Sequence, residues 1–255
     1  MCTLVFAWQA FVDAPLVVAA NRDEALDRPS RPPETFDSDP TILAPRDRQA
    51  GGTWIGVNDR EVFVGLTNRW TDAQLEGDRS RGLLVRDALS RESAEDAARY
   101  VERELDARSY EPFNLVVADR SAALFVEYDG GVTIRNVDPG VHAVANTGAD
   151  GRYAIPDRRR EHALDQAENV DRLRAALRPE PGEDAGTWRR RAREAIRDHD
   201  YGVCVHGDGF GTRSSSLITI GETVEYQFAD GPPCETDYRL VGAELSSART
   251  DEGHL

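Results

Sequence analysis

The second residue is a cysteine, and the stretch "AANRDE" closes the second apolar run with Asn21, Arg22, Asp23 and Glu24. If Met1 is trimmed, the Cys2 thiol shares its residue with the free α-amine, so a nucleophile and a base arrive together. An α-amine titrates at about 7.7–8.0 and a cysteine thiol at about 8.5, both close enough to neutrality for proton transfer between them. Arg22 nearby favours thiolate, while Asp23 suits the amine, accepting its hydrogen bonds. Asn21 and Glu24 are placed to brace the turn. Adjacent strand residues point to opposite faces, so Arg22 and Asp23 both reach Cys2 only if the strand ends or bulges there. The following "EALDRP" favours such an ending.

Two later asparagines close apolar strands: Asn68 in "FVGLTNRW" and Asn146 in "HAVANTG". Each is also an ordinary turn former, but each carries an amide that can donate to an oxyanion. Arg213, in "FGTRSSSLITI", precedes a strand amid small residues and suits either a substrate carboxylate or a buried ion pair. Trp54 and Trp70 flank a hairpin, where they wall a pocket or join the core. Cys204 and His206 share a strand face in "VCVHG", a spacing that can begin a metal site. The five histidines supply no second ligand pair at matching spacing, so no metal is expected. "GDGFGTR" lacks the lysine and the strand-to-helix setting of a phosphate loop.

The elements that must position these groups can be read from pattern. "CTLVFAWQAF" and "PLVVAANRD" form a hairpin of two largely buried strands, and "GGTWIGVNDREVFVGLTN" a second one turning at Asn58 and Asp59. Between them "ALDRPSRPPETFDSDPTILAPRD" is rich in proline and reads as a long surface loop. Ser80 and Ser93 are candidate caps of two helices. Four strands follow ("FNLVVAD", "ALFVEY", "VTIRNV", "VHAVANT"), then helices over about 156–178 and 184–199, then "YGVCVHG", "SSSLITI" and "TVEYQFA" as strands. Connections too short for parallel crossovers imply antiparallel sheets covered by helices, an α+β arrangement. Residues 1–255 are read as one domain with a polar tail from 240. The arginine runs at 158–160 and 189–191 lie among acidic residues and read as solvated, salt-bridged faces.

The 255 residues carry a formal charge of −15, and all 31 basic residues are arginine. A lysine-free, acidic surface suits concentrated salt, where screening relieves the self-repulsion. It also argues against nucleic acid or an anionic membrane as partner. No run approaches the roughly 18–20 apolar residues of a membrane span, and no signal peptide is evident, so a cytoplasmic protein with free thiols is expected.

Taken together, "MCTLVF", "AANRDE", "GGTWIGVN", "GLTNRW", "SRGLLV", "FNLVVAD", "HAVANT" and "YGVCVH" followed by "GTRSSSLITI" resemble the NRDE family, also called transport and Golgi organization 2, in order and over nearly the whole chain. That family is similar to the N-terminal nucleophile hydrolases, which implies a four-layer αββα sandwich of two antiparallel sheets between helices. Within that superfamily the likeness is to the conjugated-bile-acid and penicillin V amidases. It implies catalytic roles for Cys2, Arg22, Asp23, Asn68, Asn146 and Arg213, with no cofactor. In those amidases intervening residues separate the arginine and the aspartate, whereas Arg22 and Asp23 are adjacent. The resemblance implies hydrolysis of a non-peptide carbon–nitrogen amide bond in a small molecule. Animal members are associated with Golgi organisation and with haem or lipid handling. The alternative expectation is therefore a binding or trafficking protein for haem, a lipid or an acyl thioester, with Cys2 or His206 as a ligand.

Overall fold

Strands β1 (Cys2–Trp8) and β2 (Leu16–Ala25) form the expected opening hairpin, paired antiparallel from Cys2 opposite Arg22 to Trp8 opposite Leu16. Both strands are apolar on both faces because each lies between two layers. Leu4, Phe6, Leu16 and Val18 enter a core shared with the other sheet, while Val5, Ala7, Val17 and Ala19 enter a core shared with helices. Full burial of such side chains contributes about 1.5–3 kcal/mol each, which fixes the register: a one-residue slip would exchange the two sets. The computed structural model describes residues 2–36 and 38–242.

The remaining elements are β3 (Ser30–Phe36), β4 (Ile42–Asp47), β5 (Ile55–Asn58), β6 (Phe63–Asn68), α1 (Arg81–Leu89), α2 (Ala94–Ala107), β7 (Phe113–Ala118), β8 (Ala123–Tyr128), β9 (Val132–Asn136), β10 (Gly140–Ala145), β11 (Gly148–Ala149), β12 (Arg152–Tyr153), α3 (Arg160–Ala176), α4 (Ala185–Arg197), β13 (Phe210–Ile220), β14 (Val224–Ala229) and β15 (Arg239–Val241). One antiparallel sheet runs β12-β11-β10-β1-β2-β13-β14-β15 and the other β3-β4-β5-β6-β7-β8-β9. Three buried clusters separate the layers: one between the sheets, one beneath α3 and α4 around Trp188, and one beneath α1 and α2 around Leu84, Leu89 and Val101. The expected α+β sandwich of four layers, αββα, is the architecture found. Among the described residues no helix is long and apolar enough to cross a membrane.

Both serine caps act as expected: Ser80 Oγ accepts from Gly82 N at 3.2 Å and Ser93 Oγ from Asp96 N at 3.1 Å. The proline-rich stretch does not form the expected loop. Residues 30–47 make the hairpin β3–β4 at the edge of the second sheet, with a register shift between Arg31 and Glu34 that accommodates Pro32 and Pro33. Edge strands tolerate proline at such a break because the missing N–H faces no partner. "YGVCVHG" is not a strand either. A single helical turn at His199–Tyr201 ends on Gly202, and only His206 bridges to Gly211. The expected polar tail begins later than position 240, because Arg239–Val241 pairs with β14; its remainder, from 243, lies outside the described residues.

Candidate active site

Cys2 heads β1, which lies between β10 and β2 in the middle of its sheet, so three neighbouring strands bring side chains to one end. Cys2 N donates to Asn146 Oδ1 at 3.1 Å, from just beyond β10. The same oxygen accepts from Gln166 Nε2 of α3 at 3.1 Å, while Asn146 Nδ2 donates to the main-chain oxygen of Asn68 at 2.6 Å. Asn146, only 2 % exposed, thus uses its oxygen twice and one of its two amide N–H groups. It holds the nitrogen of Cys2 and ties the end of β6 to it.

The question of Arg22 and Asp23 is resolved by alternation without an end to the strand, since β2 continues to Ala25. Arg22 pairs with Cys2 and shares its face. Its guanidinium lies 4.1 Å from the centroid of the Trp54 ring and 3.7 Å from Glu24, and its Nη1 is buried without a hydrogen-bond partner. Asp23 belongs to the opposite face, where its Oδ1 accepts from Thr212 Oγ1 at 2.5 Å. It touches the nucleophile through its main chain: Cys2 Sγ–H points to the Asp23 carbonyl oxygen at 3.8 Å. The bulge lies in the partner strand, between Thr212 and Ser214 of β13. Asn21 is a fastener. Its Nδ2 donates to the carbonyls of Ile196 and Val203 at 2.7 and 2.8 Å, and its Oδ1 accepts from Ser215 at 2.7 Å.

The thiol opens on a cleft of about 510 Å³, within the range of small-molecule sites, roughly 300–1,000 Å³. Arg22, Trp54, Asn68 and the start of α1 line it, with Arg28, Arg79 and Arg81 facing Glu24, Asp47, Asp78 and Glu111. The lining thus holds four arginines and four carboxylates, formally neutral inside a chain of charge −15, although Arg79 pairs with Asp87 and Glu104 outside the lining. Arg28 is satisfied by Asp47 at 2.7 Å and Arg81 by Glu111 at 2.8 Å. Arg213 is the bulged residue and does not line this cleft; its Nε makes no hydrogen bond. Trp70 lies outside it too, under the guanidinium of Arg159. Gln166 and Thr212 escaped the sequence reading because each reaches the site through hydrogen bonds to residues distant in the chain, which leave no local pattern.

Burial pushes the Cys2 thiol up and the Asp23 charge adds to it, against the charge of the chain's terminal ammonium and, less, that of Arg22. Burial likewise pushes the Asp23 carboxyl up to about 6, against the charge of the chain's terminal ammonium and the Thr212 hydrogen bond. For an acid raised on folding, the native state binds the extra proton between the unfolded and folded values. Stability therefore falls as pH rises from about 4 to about 6, by about 3 kcal/mol in all. Asp23→Asn should remove that slope. The check is the difference in urea midpoint between wild type and variant across this window, and parallel curves would contradict the assignment. Taking the difference matters because Asp47, Asp87 and Asp150 are held below the usual carboxylate range and act with the opposite sign.

Comparison with known proteins bears on the fold and the family. The fold is similar to that of penicillin V acylase from Agrobacterium tumefaciens, with a TM-score of 0.58 at 14% identity over 89% of this chain and 82% of that one. It is also similar to the Caenorhabditis elegans ortholog of N-acylethanolamine-hydrolyzing acid amidase, with a TM-score of 0.55 at 12% identity over 85% and 92%. Both likenesses concern the fold, the sandwich of two antiparallel sheets between helices. In sequence, the Bos taurus homolog of transport and Golgi organization protein 2 is 28% identical over 258 residues, spanning 90% of this chain and 88% of its own. With residues 1–231 matching the family pattern throughout, the chain belongs to the transport and Golgi organisation 2 family.

Proposed function

We propose that the chain is a cysteine-dependent hydrolase that opens a carbon–nitrogen amide bond in a small molecule, with Cys2 as nucleophile once Met1 has been removed. The observation that supports this best is the placement of Cys2, with its nitrogen held by Asn146 and its sulfur at a cleft where the buried Arg22 offers an unused donor. The fold, shared with amide-cleaving enzymes, points the same way.

With Met1 gone, Asn146 Oδ1 fixes one N–H of the amine and leaves its lone pair for the thiol proton. Because burial disfavours a standing thiolate, that proton moves as sulfur attacks the substrate carbonyl. A C–S bond forms and the carbonyl pair moves onto oxygen, within reach of donors on Asn68 and Arg22, both of which line the cleft. Collapse breaks the C–N bond, and the ammonium returns its proton to the departing amine. Water, deprotonated by the same amine, then attacks the thioester. The C–S bond breaks, and the acid leaves as the thiol is restored. Asp23 and Thr212 act here as positioning residues for the second strand.

The test is intact mass followed by activity. The native chain should lack one methionine, and the purified protein should open a member of a panel of N-acyl amides. A folded, methionine-free chain that opens none, yet shows a haemin Soret shift lost in Cys2→Ala, would replace hydrolysis by ligand carriage.

A further inference from the structure

A second chemical cluster lies on the helix side of the first sheet, behind the cleft. His199 closes the turn after α4, Cys204 and His206 lead into β13, and Cys234 sits in the turn closed by Glu235 N and Thr236 N on Pro232 O. Cys204 Sγ is 3.5 Å from Cys234 Sγ and 3.8 Å from His206 Nε2, and His206 Nε2 is 3.1 Å from Cys234 Sγ. The rings of His199 and His206 lie 5.1 Å apart, and the four ligand atoms are all within 4.8 Å of one another. Both cysteines are free thiols.

A tetrahedral cation about 2.3 Å from each thiolate and about 2.0–2.1 Å from each imidazole nitrogen keeps its ligands roughly 3.3–3.8 Å apart. Of the observed separations, 3.5 and 3.8 Å fall within that range and 3.1 Å just below it. Two thiolates with two imidazoles are a donor set for zinc rather than for a hard, oxygen-seeking cation. Two thiolate charges also balance Zn²⁺, so the closed site adds no net charge. Four protein ligands leave no open position, which fits a structural rather than a catalytic metal.

We propose that His199, Cys204, His206 and Cys234 bind one Zn²⁺ that clips the segment before β13 to the turn after β14. No second ligand pair is legible in the sequence because it is split, one residue before and one far after the Cys204–His206 pair, and only the fold brings the four together. The clip has a target. Val203 O accepts from Asn21, and Val205 N donates at 2.9 Å to Thr212 Oγ1, which in turn donates to Asp23. Cys204 lies between those two valines, so fixing it fixes the supports of Asn21 and Asp23. The metal site itself does not rest on the hydrolase reading.

The test uses full-length protein without a polyhistidine tag, kept reduced and passed through desalting. Elemental analysis should find about one zinc per chain, and the chelator-stripped protein refilled with Co²⁺ should show thiolate-to-cobalt charge transfer and the intense d–d bands of a tetrahedral ion. Cys204→Ser and Cys234→Ser should each weaken zinc binding by more than about a hundredfold, beyond what the loss of an outer partner gives. Cys2→Ala should leave stoichiometry and spectrum unchanged. If the serine variants do not fold, mercurial titration of wild type should release zinc in step with loss of two thiols. A reduced, folded wild type that takes up neither metal overturns the proposal. So does a native mass two hydrogens light from a Cys204–Cys234 disulfide whose reduction confers no zinc binding.

Discussion

Cys2→Ala is expected to lower kcat/KM on any amide the protein opens by about a thousandfold or more, because the proposed mechanism carries the acyl group on its sulfur. The fold should survive. The sulfur has one weak contact, to the Asp23 carbonyl at 3.8 Å, and sits at the cleft rather than in a packed core. A thermal midpoint close to wild type, with activity gone, is therefore the predicted pair of readings. A chain made to retain Met1, by inserting a bulky residue before Cys2, should show an equal loss even though the thiol is intact, since the nitrogen is then an amide with no lone pair to use. Undiminished turnover in either protein would remove Cys2 and its amine from the mechanism.

Gly52→Ala should be among the most damaging small substitutions in the molecule. Gly52, between β4 and β5, lies against Gly82 in the first turn of α1, and Gly52 O accepts from Asp47 N at 2.9 Å. A Cβ on Gly52 would overlap the carbonyl of Gly82 and come within 2.5 Å of Leu83 N. These are backbone atoms of a capped helix turn and cannot rotate away. We expect a cost of about 3 kcal/mol or more, at the upper end of overpacking, and a fall in thermal midpoint of roughly 6–12 °C. Gly82→Ala is the control. Its Cβ would meet Thr53 O at 3.2 Å, a contact that needs only a small shift, and alanine favours the helix by about 1 kcal/mol. Equal destabilisation by the two changes would contradict the packing account. The pair explains why "GGTWIGVN" and "SRGLLV" stand out together: they are two sides of one contact that forms a wall of the cleft.

Much of this arrangement could be read in the chain because the decisive signals are periodic or local. Continuous apolar runs in β1 and β2, serine caps on α1 and α2, and the strand runs of β6 to β8 all follow from side-chain pattern. The β3–β4 hairpin was hidden because local propensity counts its prolines against a strand, whereas an edge position with a register break removes the penalty. Within the site, Cys2, Arg22 and Asn146 are brought together, and Asn68 reaches the cleft wall. Arg213 goes elsewhere because a bulge cannot be inferred from "GTRSSS" alone. Gln166, Thr212 and the partners of Cys204 depend on contacts across 20 or more positions, or on a turn near the far end, and no spacing rule reaches them.

Thr212 and Ser214 are both even-numbered, yet Thr212 sides with Asp23 and Ser214 with Arg22, because Arg213 is an extra residue between them. The two halves of β13 therefore run in opposite phase. Exchanging residue 213 for another type keeps that phase, whereas deleting it would force either the threonine away from its carboxylate or the serines out toward the helices. At this point in the chain the number of residues is a stricter requirement than their identity, so lengths should be compared there before letters.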